Sequence, residues 1–157
     1  MKIEVQGLDR LIKGLETVGS AQKVNAIVNK TLEQAALKIQ AEAKINCPKD
    51  TSYLEQRITK EKIPNGYAVG TNVKYGVYVE FGTGLRGDPS VPHTKRAVWK
   101  YRHPRYTKLA GKDVIRTVHG MAPRPFLLPA FNRYKDKIPA AIKINLSKAL
   151  KEAIRHG

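Results

Sequence analysis

The sequence predicts an α+β fold in which amphipathic helices pack on an antiparallel β-sheet and a long basic β-hairpin leaves the compact core. Two observations carry the layered core. Residues 21–46 and 137–154 each bear one apolar stripe at helical spacing, and strand-like alternation, including residues 66–81, lies between them. Each such element hides one face, so the economical arrangement is layers around a shared core. A third observation sets off the hairpin. Residues 84–123 open with Gly84, Gly87, Pro89 and Pro92 and carry nine Lys/Arg against two Asp/Glu. A chain of 157 residues suits one domain, 1–157, with 84–123 as a hairpin or loop excursion. A domain of that size buries roughly 70% of its unfolded surface.

The elements follow in order. Ile3-Glu4-Val5-Gln6-Gly7 reads as a short strand or an extended arm, and Leu8, Leu11, Ile12, Leu15 and Val18 recur at helical spacing before Gly19-Ser20. Val24, Ile27, Val28, Leu32, Ala35, Ala36, Ile39 and Ala43 then form a narrow, Ala-rich stripe suited to packing across a sheet. Pro48 ends that helix, and Lys49-Asp50-Thr51-Ser52 is turn chemistry. Leu54, Ile58, Ile63, Tyr67 and Val69 suggest strands, with Pro64-Asn65-Gly66 as a hairpin turn. In residues 75–83, Val77, Val79 and Phe81 alternate with Tyr78 and Glu80, as in a half-buried strand or in one helical turn, and Gly82 allows a sharp exit. Ala97–Tyr101 and Asp113–Val118 read as the two arms of the excursion's hairpin. Three prolines, Pro123, Pro125 and Pro129, exclude helix until Pro129 is passed, while Phe126, Leu127 and Leu128 supply an apolar anchor. The last helix runs from Asp136 to about 154, with Pro139 in its first turn.

Net charge is +16, and half of it falls in residues 86–124. A basic segment is an electrostatic footprint for polyanions or a solvated surface. Here Trp99, Tyr101 and Tyr106 are interleaved with Lys95, Arg96, Lys100, Arg102, Arg105 and Lys108. Cations neutralise phosphates and rings stack on exposed bases, so Arg96, Lys100, Arg102, Arg105 and Lys108 are candidate DNA contacts. No helix-turn-helix, zinc-finger or RNA-binding signature accompanies them, which points to sequence-blind contact. Alternatively, Trp99 and Tyr101 simply pack the hairpin while the charges face water.

Catalytic and metal chemistry find no support. His93, His103, His119 and His156 share no metal-ligand spacing with one another or with Cys47, and no close acidic pair stands out. Gly82-Thr83-Gly84 lacks the Gly-Lys-Ser/Thr ending of a phosphate loop. Glu80 reads as an acceptor for backbone amides or for Lys74 or Arg124, and Tyr75 and Tyr78 as half-buried rings with hydroxyls turned outward. A single cysteine suits a reducing compartment, the start lacks the apolar stretch of a signal peptide, and no run is long enough for a membrane span. No cofactor is expected.

Two strings remain: Tyr75-Gly76-Val77-Tyr78-Val79-Glu80-Phe81-Gly82-Thr83, and about forty residues later Pro125-Phe126-Leu127-Leu128-Pro129-Ala130-Phe131. Together they resemble the signature of the small head–tail connector or tail-completion proteins of long-tailed bacteriophages. In that family a Tyr-x-x-Tyr-h-Glu-Phe-Gly-Thr block (h apolar) precedes a Pro-Phe-Leu-x-Pro-Ala-Phe block. The likeness extends to a Gly7-Leu8-x-x-Leu11 start, the long helix and the closing helix. A further family string, Pro-x-x-Thr-Gly-x-Leu-x-x-Ser-Ile, is matched at Pro48, Thr51, Leu54 and Ile58. Ser52 stands where the family has Gly, and Arg57 where it has Ser.

The resemblance implies a minor tail component of the virion that completes the tail end so that it can join a DNA-filled head. It implies no catalytic residues, and a protein that is monomeric in solution or assembled as a ring, typically hexameric. Partners would be further copies of itself, the tail tube or tail terminator protein, the head connector or adaptor protein, and genomic DNA without sequence preference, with no membrane. The setting would be the host cytoplasm during assembly and the head–tail junction afterwards. Tyr75, Tyr78, Glu80, Phe81, Gly82, Thr83, Pro125, Phe126 and Pro129 would be positions that shape the fold. On this view the basic hairpin faces the DNA channel, hangs outside the ring, or clasps a neighbouring subunit through Trp99 and Tyr101. The alternative from another class is a monomeric, non-specific nucleic-acid-binding protein, with a nuclease a distant third.

Overall fold

The computed structural model describes residues 2–3, 21–49, 52–91, 98–102 and 108–156. The expected helix over residues 8–18 lies outside these, as do Arg96 and Arg105. The chain forms two compact units, Met1–Asn72 with Phe126–Gly157, and Val73–Pro125.

The first unit is built around α1 (Ala21–Asn46). Val24, Val28, Leu32, Ala36, Ile39 and Ala43 make its buried stripe, followed just past the helix by Cys47. Ala36 and Ala43 are fully buried, and their small side chains let neighbouring elements approach closely. A short helix α2 (Tyr53–Gln56) leads into the hairpin of β2 (Ile58–Ile63) and β3 (Gly66–Thr71). The register runs from Ile58 opposite Thr71 to Ile63 opposite Gly66, so Pro64-Asn65 is a two-residue turn. β1 (Lys2–Ile3) adds to the other edge of β3, giving the order β1-β3-β2. Ile58, Tyr67 and Val69 are buried, and α1 packs against both β2 and β3.

Two further helices pack on α1: α4 (Leu127–Tyr134) and α5 (Lys137–His156). They supply Ala130, Ile138, Ile142 and Leu146 to the core, and Phe126, just ahead of α4, joins them. Polar contacts fix α1 to its neighbours: Gln40 Nε2 donates to the Ile58 carbonyl at 2.9 Å, Lys60 meets Glu33 at 2.6 Å, Arg133 meets Glu42 at 2.5 Å, and Asn145 Nδ2 donates to Thr31 Oγ1 at 2.9 Å. The Lys60 ammonium holds the Glu33 carboxyl below its ordinary pKa, mainly through that hydrogen bond.

Three expectations are corrected. The sheet stops at Thr71; the Val77–Phe81 alternation is carried by a helix, α3 (Gly76–Phe81), with backbone bonds from Tyr78 and Val79 to the Tyr75 carbonyl and from Gly82 to the Tyr78 carbonyl. Its buried positions, Gly76 and Glu80, are four apart, a helical spacing that alternation counting overlooks. Helix is also not excluded before Pro129. α4 begins at Leu127, and Pro129 is its third residue, where an amide hydrogen has no intrahelical acceptor to lose. Finally, Leu54 belongs to α2 and not to a strand.

Ser52 departs from the family pattern at a telling place. It is the one non-glycine residue with positive φ among the described residues, at φ 54 and ψ 0. The family's glycine suits that left-handed conformation without strain. Arg57, the other departure, is exposed and lies 5.2 Å from the Tyr53 ring.

Candidate functional site

The Val73–Pro125 unit holds the first motif block and the basic segment. Glycine determines how the motif turns. Gly82 has φ 71 and ψ −172, a region essentially closed to other residues. A Cβ there would come within 2.5 Å of the Met121 carbonyl oxygen and 2.8 Å of the Pro123 nitrogen. Across from it, Gly120 has φ 81, and a Cβ would meet the Thr83 oxygen at 2.5 Å. These two bare positions let Thr83 and Met121 pair as an isolated antiparallel bridge. Thr83 N donates to Met121 O at 2.8 Å, and Met121 N donates to Thr83 O and Oγ1, both at 3.1 Å. Arg124 N reaches the Val79 carbonyl at 2.8 Å, and Asp88 N reaches the Phe81 carbonyl at 2.7 Å. The segment 121–124, just ahead of the second motif block, is therefore fastened to the first by backbone bonds.

Fastened in this way, α3 hides Glu80, which is 4% exposed, and leaves its rings outside. No buried side-chain nitrogen or oxygen among the described residues lacks a hydrogen-bond partner, so the Glu80 carboxylate is satisfied as a structural acceptor should be. Tyr75 and Tyr78 are more exposed than expected, and Val77 and Leu85 are exposed as well, Tyr78 at 52% and Leu85 at 70% exposure. Phe81 is half-buried. Composition alone gave no sign that Val77 and Leu85 would face outward. Gly120, which only a left-handed turn requires, was the available clue to the closure at Thr83.

The basic segment contains β4 (Trp99–Arg102) and β5 (Ile115–Val118), paired antiparallel from Trp99 opposite Val118 to Arg102 opposite Ile115. Strand alternation separates residues that the sequence interleaves. Trp99, Tyr101, Arg116 and Val118 share one face, while Lys100, Arg102, Ile115 and Thr117 share the other. Lys100 and Lys108 are exposed, and Arg102 Nε meets Asp113 Oδ1 at 2.8 Å, an exposed pair that offsets part of its charge. Of the five candidate DNA contacts, Lys100 and Arg102 thus share a face. The cation placed with the aromatic residues is Arg116, which the sequence reading had not singled out.

Among the described residues no group of three His, Cys, Asp or Glu side chains could hold a metal ion, and no helix is long and apolar enough to cross a membrane.

Comparison with known proteins adds one finding. The family model HK97-gp10_like, described as "Bacteriophage HK97-gp10, putative tail-component", matches residues 9–82. The resemblance to phage tail proteins is borne out over that span, which holds α1, the β2–β3 hairpin and α3 and ends at Gly82. It supports a tail-related structural component of a phage virion. Thr83, Pro125, Phe126 and Pro129 lie beyond the matched residues. No curated protein and no solved structure matches the chain.

Proposed function

We propose that this chain is a structural, non-catalytic protein of the phage neck, completing the tail end and joining it to the DNA-filled head as a ring around the DNA channel. The observation that carries this reading is the exposure of Tyr75, Val77, Tyr78 and Leu85, of which the first three lie inside the matched residues. Exposed apolar patches mark protein–protein contact. Val77 and Tyr78 sit on a helix whose C-terminal end is fastened at Gly82–Thr83, so docking there orders little additional backbone. We therefore assign Tyr75 and Tyr78 to contact with a neighbouring virion protein, a ring neighbour or the tail tube or terminator, with the head connector as the partner on the other side. Glu80, Phe81, Gly82, Thr83, Pro125, Phe126 and Pro129 shape and anchor the chain. The whole chain then acts as one functional domain, with 84–123 as its excursion.

Arg96, Lys100, Arg102, Arg105 and Lys108 are assigned to the DNA channel. A ring repeats their charge around one lumen, so weak attraction per subunit becomes a substantial field. The attraction stays sequence-blind and yields to salt, with a log–log slope of about −0.9 per neutralised phosphate.

The test uses tails from particles lacking this chain. Purified wild-type protein is expected to cosediment with them, appear as a ring at the tail end in negative stain, and restore joining to heads. Val77→Asp with Tyr78→Asp should abolish tail binding at an unchanged thermal midpoint. Changing the five basic residues to Glu should leave joining intact and disturb retention or release of DNA. Protein that cosediments with DNA but never with tails would replace this reading with the monomeric nucleic-acid-binding one.

A further inference from the structure

The face of α1 that meets α4 and α5 contains a groove of about 290 Å³ with an apolar floor of Ala35, Ile138 and Ala141 and polar side chains of one kind. Lys38 and Gln34 come from α1, Tyr134 from the end of α4, and Lys137 and Asn145 from α5. All can donate hydrogen bonds, both charged groups are cations, and no carboxylate lines the groove. Ala35 and Ala141 keep it open where larger side chains would fill it.

Two of these donors are held in position. Thr31 is buried and its hydroxyl donates to the Ile27 carbonyl at 2.8 Å, so towards Asn145 it can only accept. That fixes the orientation of the Asn145 amide: Nδ2 donates to Thr31 Oγ1 at 2.9 Å and retains a second N–H. Lys137 Nζ rests 5.6 Å from the centre of the Tyr134 ring, which limits the volume its ammonium explores. A pocket with one oriented amide, one restrained ammonium, a second ammonium beside it and no acid favours anions, and its volume lies at the small end for ligand sites.

We propose that this groove is an anion site for a phosphate group, met by Lys38 and Lys137 and oriented by Asn145 and Gln34. The phosphate is either free or part of a nucleic-acid backbone. The site belongs to the helices of the first unit, so it stands or falls independently of the tail-docking patch and of the basic excursion.

The probes are inorganic phosphate, with chloride at equal ionic strength as the control, and a short blunt DNA duplex, each titrated into the full chain labelled with ¹⁵N. Free phosphate is expected to move the Asn145 and Gln34 side-chain amides saturably. Lys38→Gln with Lys137→Gln should weaken that response about tenfold or more, as loss of charge-assisted bonds does. Both lysines are exposed, so their loss should leave the thermal midpoint in place. Gln34→Glu keeps both lysines and is expected to abolish the response by placing a carboxylate in the groove, one turn from Lys38. If only the duplex moves the same amides, and the double lysine variant lowers its log–log salt slope by about 1.8, the source is a phosphodiester, two contacts being lost. The proposal is overturned if neither probe moves these amides saturably, or if Gln34→Glu binds as the wild type does.

Discussion

Replacing Gly82 with Ala tests whether the clasp at the end of α3 is what holds the end of that helix in place. Two costs add at this position. The backbone at φ 71 and ψ −172 is strained for any residue with a side chain, on the order of 1–3 kcal/mol. The new Cβ would also stand 2.5 Å from Met121 O, 2.8 Å from Pro123 N and 2.9 Å from Pro123 Cδ. Two of those atoms are backbone and the third is a proline ring, so none can swing aside. Relief requires residues 121–123 to move off, which breaks the reciprocal Thr83–Met121 bonds of 2.8 and 3.1 Å, each contributing about 1 kcal/mol. The expected local destabilisation is roughly 3–5 kcal/mol, or about two to three and a half decades of amide protection at 1.4 kcal/mol per decade. Hydrogen exchange at the Thr83, Met121 and Arg124 amides reads it. Gly111→Ala is the control, because Gly111 also has positive φ, at 64, but a Cβ there meets nothing within 4 Å. It isolates backbone strain from collision. If Gly82→Ala loses no more protection than Gly111→Ala does at its own site, the steric account of the motif glycine is refuted.

Three further outcomes are expected. Phe126→Ala removes a fully buried ring and should cost on the order of 3–5 kcal/mol, read by denaturant unfolding followed by helical circular dichroism; wild-type stability would show the ring to be peripheral. Ser52→Gly should raise stability by roughly 0.5–1 kcal/mol, since relief of about 1–2 kcal/mol of left-handed strain exceeds the entropy glycine gains in the unfolded chain; a neutral or negative result would mean the conformation at φ 54 carries no strain. Glu33 is held ionised by Lys60, so its contribution is present above the ordinary carboxylate pKa and is lost as pH falls through the depressed value. Lys60→Met should therefore flatten the acid side of the stability profile below about pH 5, and an unchanged slope would show that the pair contributes nothing.

How much of this molecule was legible in the sequence depended on which groups carry the information. α1, α5 and the Pro64-Asn65 hairpin are specified by apolar side chains and turn chemistry, both visible in the residue string. α3 was misread because its buried positions are a glycine and a glutamate, neither of which hydropathy marks as interior, while its valines and tyrosines face out. α4 was hidden behind Pro129, which forbids helix only beyond the first turn. The interleaved rings and cations of 99–102 look like one mixed surface on paper, yet a strand sends alternate residues to opposite faces. The bonds between 79–83 and 121–124 were the least legible of all, because backbone amides carry no residue identity and leave only Gly82 and Gly120 as traces. Those bonds nevertheless bring the chain just ahead of the second motif block back to the end of the first. Whatever the chain does between Gly84 and Gly120, it must return at Met121 to close on Thr83, and Pro123 and Pro125 then lead directly into Phe126. The Tyr75–Tyr78 surface can therefore keep one shape while the basic segment between the closures varies in length and charge. On the function proposed above, that separation would let one surface dock firmly while another touches DNA loosely.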